Sequence, residues 1–402
     1  MSIMFDSNSV SYVMNTYSRF PLELASGEGS WVVASDGASY LDYTSGISVC
    51  NLGHRPQAVA EALESQLAKI WHTSNLFHIP KQEELAKLLA KTAGMDRVFF
   101  ANSGAEANEA ALKLVKKYWN DLGEYNRTSV LTFEDSFHGR TGTTMAATAQ
   151  PKIHNGFEPL TPGFVYQPFN SVESFDILNN APLQAVMLEL IQGEGGVRPA
   201  DSGWVKNLVT KAQSLGIPVI VDEVQTGMGR TGTPFLFEQY GIKPDIVTVA
   251  KGLGSGLPVG AMIAKDTFAA SFSQGSHGST FGGNPLVMSA ALASAETLFS
   301  TDILTNVQKV SEKIFDKLNE FKLTHSVIED VRGAGLMIGI ELTQPVKPLL
   351  ADLRERNVLA LPAGEKVVRV LPPLNTDLEE ADFFLEKFAQ SLQNLHETED
   401  VQ

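Results

Sequence analysis

The chain of 402 residues is 43% apolar and carries 46 acidic against 31 basic side chains, giving a formal charge of -15 at pH 7 and a pI near 5.0. That balance argues against nucleic acid and anionic membrane surfaces, because phosphate groups select basic faces, so an anionic ligand must be held by a few placed arginines and backbone amides. No apolar run is long enough to span a bilayer, and Met1-Ser2-Ile3-Met4-Phe5-Asp6 lacks the regions of a signal peptide, so a cytoplasmic location is expected. The single cysteine, Cys50, excludes an intrachain disulfide and any multi-cysteine metal site and reads as a small buried residue; no metal ligands are expected.

In chain order, residues 1–60 are irregular, with hairpin strands at Ser30-Trp31-Val32-Val33 and Tyr40-Leu41-Asp42-Tyr43 around the turn Ser35-Asp36-Gly37. From 61 to 305, short β-branched runs alternate with segments of helical period. The strands are predicted at Val98-Phe99-Phe100, Val130 to Phe133, Val186 to Leu188, Val219 to Val221 and Ile246 to Val249, with Ala261-Met262-Ile263 as an antiparallel addition. Helices are predicted at Ala105 to Tyr118 and Trp204 to Leu215, the second ended by Gly216 and Pro218. From 306 to 402 the pattern changes again. A long amphipathic helix (Leu304 to Phe321) leads into strands near Met337 to Ile340 and Val367 to Val370, a closing helix from Leu378 and an acidic tail from His396 read as a frayed end. The expected fold is α/β: a large domain (61–305) with a mostly parallel sheet covered by helices, and a smaller α+β domain assembled from the two terminal segments.

In open α/β sheets, ligands sit beyond the carboxyl ends of the strands, so the residues just after each apolar run carry the functional reading. After Val98-Phe99-Phe100, the turn Ala101-Asn102-Ser103-Gly104-Ala105-Glu106 opens a helix whose N–H groups suit a phosphate, although Ser103 taken alone reads first as a plain helix cap. Asp222, at the tip of Val219-Ile220-Val221, can hold a pyridine nitrogen protonated or make a structural ion pair. Lys251, between Ile246 to Val249 and the glycines of Gly252-Leu253-Gly254, is either a solvated strand-end lysine or, if desolvated, an imine former. Phe137-His138-Gly139-Arg140 offers a flat face for a ring and a guanidinium for a carboxylate. Taken together, these features meet the needs of one cofactor, pyridoxal 5′-phosphate (PLP).

Six motifs in order, Asn102 to Glu109, Ser136 to Arg140, Gln192 to Gly196, Asp222 to Gly232, Ala250 to Gly254 and Ser279 to Pro285, resemble the class III, fold-type I PLP-dependent aminotransferases, in particular the acetylornithine aminotransferase branch. The resemblance implies that Ser103, Gly104 and Ala105 bind the cofactor phosphate and that Phe137 and Val224 pack on the two ring faces. Asp222 would pair with the ring nitrogen, Gln225 reach the ring hydroxyl and Lys251 form the Schiff base. Thr280 would reach the phosphate of a neighbouring subunit, since the family builds its sites across a homodimer. The implied reaction is ping-pong transamination between N-acetylornithine and 2-oxoglutarate, with glutamate as product, a step of arginine biosynthesis.

Such an enzyme must bind an ω-amine far from its carboxylate and then glutamate, whose amine adjoins one. By the same resemblance Glu194 neutralises Arg369 for the first substrate and swings aside for the second, while Arg140 holds the distal carboxylate. Tyr17, Asn75 and Ser279 are expected at the substrate pocket. Enzymes specific for free ornithine carry a tyrosine where this chain has Ile47, and an apolar residue suits an acetylated amine better. Ornithine, N-succinylornithine, N-succinyl-diaminopimelate and 4-aminobutyrate stay open as donors. A reading of another class, a NAD-dependent oxidoreductase, rests on Gly227-Met228-Gly229-Arg230-Thr231-Gly232. It is weakened by the four residues that intervene after Asp222, by Pro234 and by Asp245 beginning rather than ending a strand.

Overall fold

Strands that are mostly apolar and buried along their whole length, such as Leu183–Leu188, Val219–Asp222 and Ile246–Val249, can persist only where helices cover both faces. They form the middle of a seven-stranded sheet, and every residue in them is buried. The structure, a computed structural model, describes residues 12–399. The sheet order is Arg97–Ala101, Gly260–Ala264, Ile246–Val249, Val219–Asp222, Leu183–Leu188, Ser129–Phe133 and Phe164–Gln167. Gly260–Ala264 runs antiparallel to both neighbours, as read from the sequence, and the other neighbouring pairs are parallel. Arg97–Ala101 therefore points the same way as the central strands, and Ala101, Leu188, Asp222 and Val249 end at one edge of the sheet.

The helices Gly104–Asp121 and Ser202–Ser214 match the predicted pair with small shifts at their ends. The first is capped by Ser103 Oγ accepting from Glu106 N at 3.2 Å, the second by Asp201 accepting from Trp204 N at 2.7 Å. The terminal segments share structure with each other. Leu24–Glu28, Trp31–Ala34 and Ser39–Asp42 form a sheet completed by Val358–Leu359, which pairs parallel with Ser39–Asp42. A second sheet, ordered Ile328–Ala334, Met337–Leu342, Val367–Val370 and Leu361–Pro362, packs under Thr301–Thr324 and carries Arg369. Residues 60 and 305 fall inside the helices Gln57–Leu67 and Thr301–Thr324. The tail read as frayed from His396 is helical through Glu399, as the end of the helix Leu378–Glu399 that packs on Thr301–Thr324. Residues 400–402 and the Met1 to Asp6 start lie outside the described residues. Among the described residues no helix is long and apolar enough to cross a membrane, and no group of three or more His, Cys, Asp or Glu side chains could hold a metal ion.

Candidate active site

The sheet edge opens into a cavity of about 450 Å³ whose wall includes Ser103, Gly104, Ala105, Phe137, Arg140, Glu194, Asp222, Val224, Gln225 and Lys251. Ten residues chosen from separate motifs thus meet in one space. Asp222 extends from its strand tip, 3% exposed, and three donors converge on it: His138 Nδ1 and Asn108 Nδ2 on Oδ2, each at 2.8 Å, and Val224 N on Oδ1 at 3.0 Å. Asn108 also donates to His138 O at 2.8 Å and accepts from Thr248 Oγ1 at 2.6 Å, so the neighbouring strand helps to fix the acid.

Lys251 follows its strand with φ of 43°, a left-handed backbone conformation that side-chain-bearing residues adopt mostly where the surroundings impose it. Burial lowers its ammonium to about 8, and the Arg369 charge pushes the same way, so neutral amine is accessible near physiological pH. Gly104 lies so close to Val224 that a Cβ would meet Val224 Cγ1 at 2.7 Å, which brings the opening turn of Gly104–Asp121 against the side chain expected on one ring face. The first N–H groups of that helix have no partner within it and open onto the cavity. A phosphate seat, a flat aromatic, a fixed carboxylate and a desolvated lysine are the donor set that PLP requires, so the residues present fit the cofactor.

Arg369 lies behind the cavity lining: it is 2% exposed and donates through Nη1 to Glu194 Oε1 at 2.5 Å, and to Gly193 O and Gln225 Oε1 at 3.3 Å each, Glu194 and Gln225 being the ones that face the cavity. Burial alone would raise the Glu194 carboxyl, but the guanidinium beside it holds it below the ordinary carboxylate range. Arg140 is exposed at the mouth, its Cζ 5.8 Å from the centroid of the Phe137 ring.

Four expected residues stand apart from this cavity within one chain. Thr280 is exposed and Tyr17 is 72% exposed. Asn75 and Ser279 line a different cleft, where Asn75 Nδ2 donates to Ser279 O at 3.1 Å and to Gly282 O at 2.9 Å, tying the turn that presents Thr280. Asn75 and Tyr17 therefore do not join the pocket of their own chain.

Glu189, Asn108 and Val49 belong to the cavity wall without having been singled out from the sequence. The rule that selects Asp222 and Lys251 also selects Glu189, the first residue after Leu183–Leu188. Its carboxylate accepts from Phe137 N at 2.9 Å and Gly193 N at 3.4 Å, and burial raises it to about 7. Asn108 offered only its spacing, a polar residue one helical turn after Gly104, which does not distinguish it from any other polar position of a helix. Val49 gave no signal.

A family model described as "Aminotransferase class-III" matches residues 12–392. The chain belongs to that family. An acetylornithine aminotransferase of Oceanobacillus iheyensis is 53% identical over 370 residues, spanning 92% of this chain and 93% of the relative. Among solved structures, an ornithine aminotransferase of Toxoplasma gondii superposes with a TM-score of 0.93 at 29% identity, covering 96% of this chain and 94% of that one. The N-acetylornithine aminotransferase of Stenotrophomonas maltophilia gives 0.82 at 35% identity, covering 94% and 97%. This class III member is a PLP-dependent aminotransferase of fold type I. The oxidoreductase reading falls with that finding: Gly227 to Gly232 is a loop leading to the short helix Phe237–Tyr240, and Arg230 within it is wholly buried.

Proposed function

We propose that the chain transfers the ω-amino group of N2-acetyl-L-ornithine to 2-oxoglutarate, giving N-acetyl-L-glutamate 5-semialdehyde and L-glutamate, as a cytoplasmic homodimer serving arginine biosynthesis. The observation that carries this reading is the pairing of buried Arg369 with the half-buried Glu194, which lines the cavity together with Lys251 and stands between Arg369 and that space. A cavity that must accept two substrates of different charge needs a carboxylate receptor that can be masked. While Glu194 is paired, the guanidinium charge is satisfied and the wall suits a donor whose amine is remote from its carboxylate. When Glu194 swings outward, Arg369 is exposed to the α-carboxylate of glutamate or 2-oxoglutarate, and Arg140 at the mouth takes the distal one.

PLP supplies the electron sink for charge that develops on the substrate carbon. Around it, Asp222 offers the ring nitrogen a carboxylate held still by His138, Asn108 and Val224 N. Lys251 Nζ, lowered to about 8, would be the group that takes up and gives back the proton of the substrate carbon. Phe137 and Val224 would hold the ring between them, and Gln225, only 7% exposed, would meet the ring hydroxyl. Thr280, Ser279 and Asn75 belong on this reading to the site of a second copy. Large apolar side chains near Thr280, with Phe281 and Trp71 each 62% exposed and Phe77 68%, support a covered face there. The division into 61–305 and a small domain from 1–60 and 306–402 is proposed on the strength of the sheet that the terminal segments share.

The deciding experiment follows the two half-reactions of Glu194→Ala separately. The variant is expected to lose about tenfold more in the ω-amine half than in the glutamate half, because Arg369 stays unmasked. Equal losses would remove the switch. Turnover of N-acetylornithine, ornithine, N-succinylornithine, N-succinyl-diaminopimelate and 4-aminobutyrate tests the donor: a highest kcat/KM on free ornithine would overturn the reading of Ile47. Sedimentation of wild type and Phe281→Asp tests the dimer.

A further inference from the structure

Two features of the molecule are costly and serve no step described so far, and they meet at one hydrogen bond. The first is a run of four left-handed residues, Ser45, Gly46, Ile47 and Ser48, with φ of 45°, 59°, 64° and 61°. Three of them bear a Cβ and one is β-branched, for which this region is disfavoured. The second is Arg230, 0% exposed, whose partners are all neutral: Ser48 Oγ at 3.0 Å, Asn51 Oδ1 at 2.7 Å, Leu336 O at 3.0 Å and Pro372 O. Among the described residues no carboxylate forms an ion pair with it. Burying a guanidinium without a counter-ion is unfavourable, and an apolar side chain would serve a plain core better.

The acceptors come from three stretches of chain that are remote in sequence. Ser48 and Asn51 flank Val49, which lines the cavity; Pro372 follows the strand Val367–Val370, which carries Arg369; and Leu336 lies in the turn before Met337–Leu342. Cross-ties bind the same pieces: Ser45 Oγ donates to Leu371 O at 2.6 Å, Ser48 Oγ to Gln225 O at 3.4 Å and Leu374 N to Asn51 O at 2.7 Å. Asn51 also presses on the residue beside the lysine, since a Cβ on Gly252 would lie 2.2 Å from Asn51 Nδ2. A planar fork with five donors can hold acceptors on three segments at once, which an ammonium cannot reproduce.

We propose that Arg230 is a positioning residue for substrate binding: it fixes the left-handed turn, and with it Ile47 and Val49, in register with the strand that presents Arg369. The glycines on either side then have a packing role, placing Arg230 in the core rather than a phosphate on the loop. Gly229 has φ of 83°, and a Cβ there would lie 3.1 Å from Leu374 Cδ1. The inference rests on the substrate reading for what Arg369 does, whereas the turn that Arg230 holds is a property of the fold.

The test compares Arg230→Lys, Arg230→Met, Ser48→Ala and the double variant Arg230→Met with Ser48→Ala, using the amine that wild type turns over fastest. Each is expected to keep the near-visible absorbance of bound PLP and its borohydride labelling at Lys251, because neither Arg230 nor Ser48 lines the cavity and Ser48 meets Gln225 only at its backbone oxygen. Hydrogen exchange at the amides of Ile47, Val49 and Cys50 should rise about tenfold or more in Arg230→Lys. The KM values for amine and 2-oxoglutarate should rise by about tenfold to hundredfold while kcat changes little, and adding Ser48→Ala to Arg230→Met should change them hardly further. Unchanged exchange at these amides, a fall in kcat with KM constant, or independent multiplication of the two effects would overturn the proposal. If Arg230→Met does not fold, Arg230→Lys and Ser48→Ala decide it by the same readouts. Failure of the Arg369 reading would appear separately, as equal half-reaction losses in Glu194→Ala.

Discussion

The wall of the cavity that meets the cofactor and the wall that meets the substrate are made from different parts of the chain. Asp222 ends one buried central strand, Lys251 lies two residues past another, and Gly104 opens a helix packed on the same sheet. Val49 hangs from a left-handed turn, Glu194 sits on the loop after Ile191–Gln192, and Arg369 belongs to a strand of the C-terminal sheet. The contrast assigns rigidity to the chemistry and adjustability to the choice of partner: ring, lysine and acid must keep one geometry through both half-reactions, whereas Glu194 must change its own.

The sharpest way to break the comparison is at the rigid wall. Lys251→Ala is expected to reduce kcat by on the order of 10⁴-fold without unfolding the protein, since the proton relay disappears while the surrounding strands remain paired. Single-turnover rates with each substrate measure it, and a loss confined to one half-reaction would assign the proton transfer to another group. Asp222→Ala should follow at about 10³-fold, because it removes the charge on which three donors converge. A shift in the near-visible band with kcat retained would show that another group supports the ring nitrogen.

The same contrast decides what could be read from the chain before folding. A short β-branched run with a charged residue at its end or within two residues of it names both the fold and the place of chemistry, and so Asp222 and Lys251 were legible together with the sheet that holds them. Their supports were not. Asn108 looked like one more polar residue of a helix, and only the parallel register of Asp222 beside Thr248 explains why its amide must point inward. The direction of the Arg97–Ala101 strand depended on an antiparallel neighbour inserted from residues 260–264, a long-range pairing that local period does not encode. On the substrate side, four successive positive φ values at residues 45–48 violate local preference, so nothing in that stretch could announce the turn that carries Val49. Arg230 misled because glycines arranged for close packing carry the same spacing as glycines arranged for a phosphate.

A smaller effect is expected one layer behind the rigid wall. Asn108→Ala leaves Asp222 with two donors and Thr248 without an acceptor, which should lower kcat by about tenfold with little change in either KM. Steady-state kinetics together with thermal unfolding separate the outcomes, since a lower Tm at unchanged kcat would make Asn108 a packing residue only.

Glu189 joins the two walls, accepting from Phe137 N on one side and Gly193 N on the other, and it supplies the mildest test. Burial raises its carboxyl to about 7, above the ordinary range, so the folded protein binds this proton more tightly than the unfolded chain does. The stabilisation linked to that proton is complete below the unfolded value and is lost as pH rises through about 7. Glu223, raised to about 7 by its own burial, contributes in the same direction, while Lys251, lowered to about 8, opposes it only at higher pH. Thermal unfolding of the PLP-free protein between about pH 5.5 and 7.5 should therefore show Tm falling, and Glu189→Gln, which does not titrate, should make the fall shallower by a few degrees. An unchanged slope in the variant would mean that Glu189 is ionised throughout this window, its two amide donors outweighing burial, and the joint between the walls would then be an anionic clamp at every working pH.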